Sequence, residues 1–437
     1  MLLLTSLMLL TAADASADAV SAEATMAREP VSGSRVYINQ AGREHPVSVV
    51  LIHGLGDLAS DTWQELIPRL ARNYHVIAFD LPGFGRSEKA NLLYSPGYYA
   101  EVTRWIVATY VPGPYHLIGH SLGAAVALRF AASGPDRLQT LTLANAAGIL
   151  HRTTFAKNLL QPDFKERLPG RPEQPEQTFD SLLNRLIEEL DRLPFEGEML
   201  LQNEFLRGTI LGGDPARIAA LALVSENFSA VLFKIMTPTL IIWGDQDRVT
   251  PLRTGRVLQS ILTNSHLQII PAAGHLPMLE QPKLFNETIL AYLDRKPGPS
   301  VPAEVPGGTI GRCKGQSGQF FQGIYREIEI EDCTDVIIRN VVSGRITLSN
   351  ATATIENSRI ISADTGLLVR DSVISASGLK IEADLALSVE RSRCDLAGTH
   401  LIASRLPIQA DAASIILFSV SRIQTPDSAR YWHGLWP

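Results

Sequence analysis

Tyr115-His116-Leu117-Ile118-Gly119-His120-Ser121-Leu122-Gly123-Ala124-Ala125-Val126-Ala127-Leu128 decides how this chain is read. Tyr115 to Ile118 is an apolar run of strand length, and Ala124 to Leu128 begins a helix-forming run. Between them a serine stands between two glycines. A turn from strand to helix tight enough to lift a serine hydroxyl to its tip needs small neighbours, and glycine at both flanks supplies the room. In a chain of 437 residues a Gly-x-Ser-x-Gly match by itself carries little weight, because both residue types are common. Its position between a strand and a helix is what gives it meaning.

The same rhythm extends outward. From Val31 to about Arg295, buried-strand runs alternate with helix-period runs, the pattern of a largely parallel sheet covered on both faces. The strands are expected at Val47 to Ile52, His75 to Phe79, Tyr115 to Ile118, Leu138 to Ala144, Leu240 to Trp243 and Leu267 to Ile270. Trp63, Leu66, Ile67 and Leu70 share a helix face, as do Val102, Trp105 and Ile106, and a last helix carries Leu284, Phe285, Ile289, Leu290 and Leu293. Between about Gly148 and Lys234 no strand is convincing. Leu182, Leu183, Leu186, Ile187, Leu190 and Leu193 fall at helical spacing there, which predicts a helical cap inserted over residues 148–234, with an exposed Pro-rich loop from Leu168 to Pro175.

Pro297, Pro299, Pro302 and Pro306 then forbid a continuous helix, so residues 296–308 read as a Pro/Gly linker. Beyond it, over residues 309–437, short β-branched runs recur at intervals of roughly 14 to 20 residues, about the length of one solenoid coil. Val336-Ile337-Ile338, Ala353-Thr354-Ile355, Leu367-Leu368-Val369 and Leu387-Ser388-Val389 are the clearest. Several are followed by a polar residue, serine and a further apolar position, as in Asn357-Ser358-Arg359-Ile360 and Asp371-Ser372-Val373-Ile374. These features resemble a right-handed parallel β-helix, in which each coil stacks its apolar face on the next. The aromatic end Tyr431-Trp432-His433-Gly434-Leu435-Trp436 suits a cover for its open edge.

Composition narrows the function. The net charge of −6, with Lys and Arg scattered, offers no basic stripe for nucleic acid. Met1 to Leu10 is almost wholly apolar and gives way to the small-residue run Ala12 to Ala19, so residues 1–19 resemble a secretory signal with cleavage after Ala17 or Ala19. The apolar run is too short for a comfortable membrane span. The three cysteines, Cys313, Cys333 and Cys394, all lie late. Cys313 and Cys333 can bridge in an oxidising compartment, or all three can pack as small hydrophobes. H-E-x-x-H, zinc-spaced cysteine pairs and a phosphate-cradling G-x-x-x-x-G-K-[ST] are missing, so neither metal nor cofactor is expected.

Further motifs follow the expected strands in order. His53-Gly54-Leu55-Gly56 follows the first, Phe79-Asp80-Leu81-Pro82-Gly83-Phe84-Gly85-Arg86-Ser87 the second, Trp243-Gly244-Asp245-Gln246-Asp247-Arg248-Val249-Thr250-Pro251 a late one, and Ala272-Ala273-Gly274-His275 the last. With Ser121, this ordered set resembles the α/β-hydrolase family over about residues 31–295. A serine hydroxyl is a weak nucleophile at neutral pH and needs a base, for which histidine has the right pKa. The forming imidazolium then needs a buried carboxylate. The resemblance implies His275 as the base and, of the neighbouring Asp245 and Asp247, the second as the carboxylate. It implies the backbone N–H groups of Leu55 and Leu122 as the oxyanion hole. His53 and His120 flank motif glycines and are expected to shape their turns. Asp80 to Ser87 makes a tight turn with no derivable chemistry, Arg86 anchoring it.

The expected activity is a serine carboxylic-ester hydrolase acting on a small-molecule or acylated substrate under an apolar cap. One alternative is hydrolysis of a carbon-carbon bond in vinylogous diketones by the same triad. Another is a non-catalytic surface or carbohydrate-binding protein acting through its β-helix. An exported chain, periplasmic or secreted, with the C-terminal region facing a carbohydrate or envelope component, completes the expectation.

Overall fold

The protein is described from a computed structural model over residues 22–56, 58–151, 197–294 and 308–437. The signal-like segment, Leu168 to Pro175, the leucine set from Leu182 to Leu193 and the Pro-rich linker lie outside the described residues.

The first half is built on an eight-stranded sheet in the order β1-β2-β4-β3-β5-β6-β7-β8. Its strands are β1 (Ala22–Arg28), β2 (Arg35–Ala41), β3 (Ser48–Ile52), β4 (His75–Phe79), β5 (Tyr115–His120), β6 (Leu138–Ala144), β7 (Thr239–Gly244) and β8 (Ser265–Ile270). β1 and β2 pair antiparallel at one edge, whereas β4 through β8 run parallel. Every residue of β3, β4, β5 and β7 is buried. Burial on both faces is why these strands read as unbroken apolar runs. Arg35-Val36-Tyr37-Ile38-Asn39 alternates instead and escapes a search for such runs.

Helices cover the sheet: α1 (Ile67–Leu70), α2 (Pro96–Tyr110), α3 (Leu122–Ala131), α4 (Gly197–Gln202), α5 (Glu204–Ile210), α6 (Pro215–Val224), α7 (Ser229–Leu232), α8 (Leu252–Ile261), α9 (Pro277–Glu280) and α10 (Pro282–Leu293). The Trp63 to Leu70 face is split between a 3₁₀ turn, Ala59–Trp63, and α1, yet Trp63, Leu66 and Leu70 are all buried as expected. α2 starts where Ser95 caps it by accepting from the Tyr98 N–H at 3.1 Å, with Pro96 in its first turn. The described part of the cap, α4 to α7, is helical.

The second half is rich in β-structure: β9 (Ile310–Lys314), β10 (Phe320–Glu331), β11 (Val336–Ser349), β12 (Thr352–Ile361), β13 (Thr365–Arg370), β14 (Val373–Glu390), β15 (Arg393–Ala397), β16 (His400–Ala410), β17 (Ile415–Gln424) and β18 (Ala429–Leu435). β9 to β17 pair in parallel, with like residues in register: Ile338 lies opposite Ile355, Leu367 opposite Leu387, and Ile374 opposite Cys394. β18 runs antiparallel to β17 and covers its edge, with Trp432 and Trp436 against the apolar core. The Asn/Asp-Ser pattern has a physical reason. Asn357 and Asp371 turn corners at φ 44° and 47°, a conformation their short polar side chains tolerate. The following serines bond upward: Ser358 Oγ accepts from the Val341 N–H at 3.2 Å, and Ser372 Oγ from the Ala351 N–H at 2.9 Å.

Cys313 and Cys333 are joined as a disulfide, and Cys394 is free and buried, its thiol pushed up to about 12 by that burial. Asp364, Asp371 and Asp384 each bond a separate partner, Arg345, Arg391 and Ser404.

Candidate active site

Ser121 sits between β5 and α3 at φ 51° and ψ −114°, a strained conformation for a residue with a Cβ. Its surroundings over-determine it. The Ser121 N–H donates to the Ala144 carbonyl at 2.9 Å, and the Ser121 carbonyl accepts from the Ala124 and Ala125 N–H groups at 3.1 and 3.2 Å. The flanking glycines are demanded by contact. A methyl at Gly119 would lie 2.3 Å from the Gly123 carbonyl oxygen, and one at Gly123 would lie 2.3 Å from that of Ile52.

His275 follows β8 and meets the serine: its Nε2 lies 3.0 Å from Ser121 Oγ, and its Nδ1 lies 3.0 Å from Asp247 Oδ2. All three side chains are buried. Asp247, after β7, also accepts from Thr250 Oγ1 at 2.6 Å, from the Val249 and Thr250 N–H groups at 2.8 and 2.9 Å, and from Asn145 Nδ2 at 2.5 Å. Burial acts to raise the Asp247 pKa, but His275 and these hydrogen bonds outweigh it and hold the carboxyl below its ordinary value. Asp247 is therefore the ionised member of the group. Asp245 is exposed and offers its backbone N–H to Ile270 at 3.2 Å, so the structure separates the two aspartates.

Leu122 is the first residue of α3, where an N–H has no partner within the helix. The His53 to Gly56 loop passes directly beside the serine: a methyl at Gly54 would lie 3.0 Å from Ser121 Cβ. Leu55, the next residue, is half-buried. His53 accepts from the Leu81 N–H through Nε2 at 2.8 Å and bonds the Gly54 carbonyl through Nδ1 at 2.7 Å. His120 donates from Nε2 to the His275 carbonyl at 2.8 Å. Burial lowers both, His120 to about 3, so they remain neutral and shape the loops. Arg86 anchors its turn, donating from Nε to the buried Asp80 carboxylate at 2.9 Å and lying over the Tyr37 ring at 3.8 Å.

Three further residues shape the site, and only Thr250 lies within one of the sequence motifs, which assigns it no role. Asn145 ends β6 at φ 46° and ties the two loops together, reaching Asp247 and, at 3.3 Å, the Gly274 carbonyl. Thr250 completes the shell of Asp247. Glu280 accepts from the N–H groups on either side of His275, those of Gly274 at 2.6 Å and Leu276 at 2.9 Å. An Asn directly after a strand is a signal for the left-handed conformation, but only the fold says what its amide reaches.

Among the described residues no group of three His, Cys, Asp or Glu is placed to hold a metal ion, and no helix is long and apolar enough to cross a membrane. A shallow groove on the C-terminal half is lined by Ser362, Glu382, Asp384, Ser404, Gln424 and Thr425 and shares no residue with the Ser121 site.

Comparison with known proteins places this geometry. The sequence pattern of the α/β hydrolase fold matches residues 47–282. A 2-hydroxy-6-oxo-6-(2'-aminophenyl)hexa-2,4-dienoic acid hydrolase of Metapseudomonas resinovorans is 26% identical over 59% of this chain and 87% of its own length. The monoacylglycerol lipase ABHD6 of Rattus norvegicus is 26% identical over 57% of this chain and 76% of its own. Among solved structures, an esterase from Exiguobacterium antarcticum is similar with 22% identity and a TM-score of 0.47, covering 62% of this chain and all of its own. The pattern spans more than half of the sequence, and the chain belongs to the α/β-hydrolase family.

Proposed function

We propose that the protein is a serine hydrolase that cleaves a carboxylic ester through an acyl-enzyme intermediate. The observation that carries this reading is the pair of 3.0 Å contacts running from Ser121 Oγ through His275 to Asp247. Ser121 Oγ attacks the carbonyl carbon as its proton passes to His275 Nε2. Negative charge on the carbonyl oxygen is met by the Leu55 and Leu122 N–H groups and by the positive end of α3. Collapse of the tetrahedral adduct breaks the bond to the alcohol oxygen, which takes the proton back from His275. Water repeats the sequence to release the acid and restore Ser121. Asp247 stays ionised throughout and holds the imidazole in one tautomer.

A second reading is favoured by the Metapseudomonas relative, whose name describes a dienoic acid hydrolase: the same triad would cleave a carbon-carbon bond in a vinylogous diketone. The rat relative, named a monoacylglycerol lipase, supports the ester. Hydrolysis of p-nitrophenyl esters from acetate to palmitate, by the wild type and Ser121→Ala, separates them. Turnover by the wild type and a loss of about 10⁶-fold in the variant is expected. No ester activity, with disappearance of a dienol chromophore instead, would overturn the ester reading.

We read the C-terminal half as a short parallel β-helix, a reading supported by the parallel pairing of β9 to β17. Its groove, where Ser362, Glu382, Asp384 and Gln424 alternate with Ala383, Ile402 and Pro426, supports a carbohydrate or envelope partner. The Cys313–Cys333 disulfide supports an exported, periplasmic or secreted protein.

A further inference from the structure

The C-terminal half is seated on the helix that follows the loop bearing the Asp247 carboxylate. Helix α8 begins at Leu252, directly after Thr250 and Pro251, and Thr250 gives Asp247 both an O–H and an N–H hydrogen bond. Trp243 Nε1 holds the Thr250 carbonyl at 2.8 Å. In the first turn of α8, Arg253 reaches across to the C-terminal half. Its Nη1 donates to Asp395 Oδ2 at 2.9 Å, its Nη2 to Asp395 Oδ1 at 3.2 Å and to the Ala376 carbonyl at 3.0 Å, and its Nε to Ser377 Oγ at 2.8 Å. The two charged side chains are 18% and 19% exposed, so this planar, bidentate pair is shielded from solvent and fixed in direction.

The seat is close-packed as well as charged. A methyl at Gly378 would lie 2.5 Å from Ser260 Cβ, and one at Gly398 would lie 3.0 Å from Val257 Cγ1, so two corner glycines let α8 settle against the strands. Ala397 and Val420 belong to the apolar core of the hydrolase half, which runs across the boundary without a break. The same half touches both described ends of the cap insertion. The His151 N–H donates to Ser419 Oγ at 2.9 Å, and the Phe233 ring lies 5.4 Å from that of Tyr431. A second ion pair, Arg256 with Glu356 at 2.5 Å, holds α8 one turn further from Asp247.

We propose that Arg253 and Asp395 are positioning residues of the hydrolase site, and that the C-terminal half is a fixed brace for the loop that presents Asp247 to His275. The inference rests on the triad reading above. Its physical content is a rigid chain of contacts: Asp395 orients Arg253, Arg253 fixes the start of α8, and the start of α8 fixes Thr250 and with it the Asp247 carboxylate. Loosening that chain lets the carboxylate drift from His275 Nδ1. An imidazolium less well stabilised by its carboxylate loses its proton at lower pH.

The test uses the full chain and an alkyl fluorophosphonate, which needs no knowledge of the natural substrate. Labelling forms a bond from Ser121 Oγ to phosphorus, breaks the phosphorus-fluorine bond to release fluoride, and passes the serine proton to His275. Its rate is followed from about pH 5 to 9, the range in which a histidine base titrates. Asp395→Asn and Arg253→Met are each expected to slow labelling about 10-fold and to move its acid limb to lower pH, and the double variant to be no slower than either alone. Arg256→Met, at the neighbouring ion pair, is expected to keep the wild-type acid limb. Wild-type rate and acid limb in both Asp395→Asn and Arg253→Met, with only a lowered melting temperature, would overturn the proposal and leave the triad standing. An equal shift in Arg256→Met would overturn the role of Arg253 in particular. Should Asp395→Asn not fold, Arg253→Met carries the test alone. Absence of labelling in the wild type, or labelling that survives Ser121→Ala, would instead sink the triad reading itself.

Discussion

Both halves of this protein are made mainly of parallel strands, and they meet the same backbone difficulty with a different balance of residue types. Each must turn its chain through left-handed conformations that cost a residue with a Cβ roughly 1 to 3 kcal/mol. In the C-terminal half, with Arg391 at 45° and Val420 at 41° as the exceptions, these turns fall on residues suited to them: Asp332, Asp335, Asn340, Asn350, Asn357 and Asp371 have φ between 44° and 54°. Their side chains bond from coil to coil, as Asn357 Nδ2 does to Asn340 Oδ1 at 2.7 Å. In the hydrolase half the positions are Ala59, Ser121, Asn145 and Ala272, at φ 45°, 51°, 46° and 55°. Serine and alanine have no such affinity for the region. Ser121 belongs to the Ser121, Asp247 and His275 group and Ala272 stands three residues before His275, where packing holds what the residue type does not favour, and Asn145 bonds Asp247. The C-terminal half thus relies mainly on Asn and Asp at its corners, and the hydrolase half on the packing around its site.

The largest effect that would sharpen this contrast is electrostatic. Asp247→Asn is expected to lower kcat about 10⁴-fold through the wrong imidazole tautomer, while Asp245→Asn, two residues away and exposed, leaves it unchanged; steady-state kinetics on the best p-nitrophenyl ester checks both. A comparable loss in Asp245→Asn would break the separation of the two aspartates. Next comes stability. Gly123→Ala drives a methyl against the Ile52 and His53 carbonyl oxygens and is expected to cost about 3 kcal/mol. Asn357→Ala, at a corner of the C-terminal half, is expected to cost only about 1 kcal/mol in the same urea titrations. The reverse order would mean that the strain is not concentrated around Ser121.

The smallest effect concerns acid. Burial pushes His116 down to about 4, below the roughly 6.5 of an unfolded histidine. Between these values the unfolded chain binds a proton that the folded chain refuses, so the contribution of His116 is intact above pH 6.5 and is lost as pH falls toward 4. His116→Gln, which keeps a partner for Thr140 at the other end of its 2.8 Å contact, is expected to reduce the slope of stability against pH by up to about one proton in that window. An unchanged slope would exclude His116 as a source of acid sensitivity in the sheet.

How much was legible follows from how each feature is encoded. The central strands announce themselves because both faces are buried, so Val49 to Ile52 and Ile241 to Trp243 admit only apolar residues. The edge strand β1 and its neighbour β2 do not, since an exposed face leaves their pattern open to many residues. Ser121, His275 and the two candidate aspartates are legible because their loops need glycines at set distances. Asn145, Thr250 and Glu280 are not, because each acts through a contact with a residue distant in sequence or through its own backbone neighbours.

The sequence by itself determined the alternation of the central strands with helices, the tight turn at Ser121, the His275 loop and the coil-length repeat of the C-terminal half. These depend on local rules: burial period, the steric freedom of glycine, and the tolerance of Asn and Asp for tight corners. The tertiary structure decided which aspartate meets His275, that Asn145 joins the Asp247 and His275 loops, that Cys313 and Cys333 are bridged, and that Asp395 grips Arg253 behind the Asp247 loop. Each of those is a meeting between residues far apart in the chain or equivalent by type, and only distance in space can choose between them.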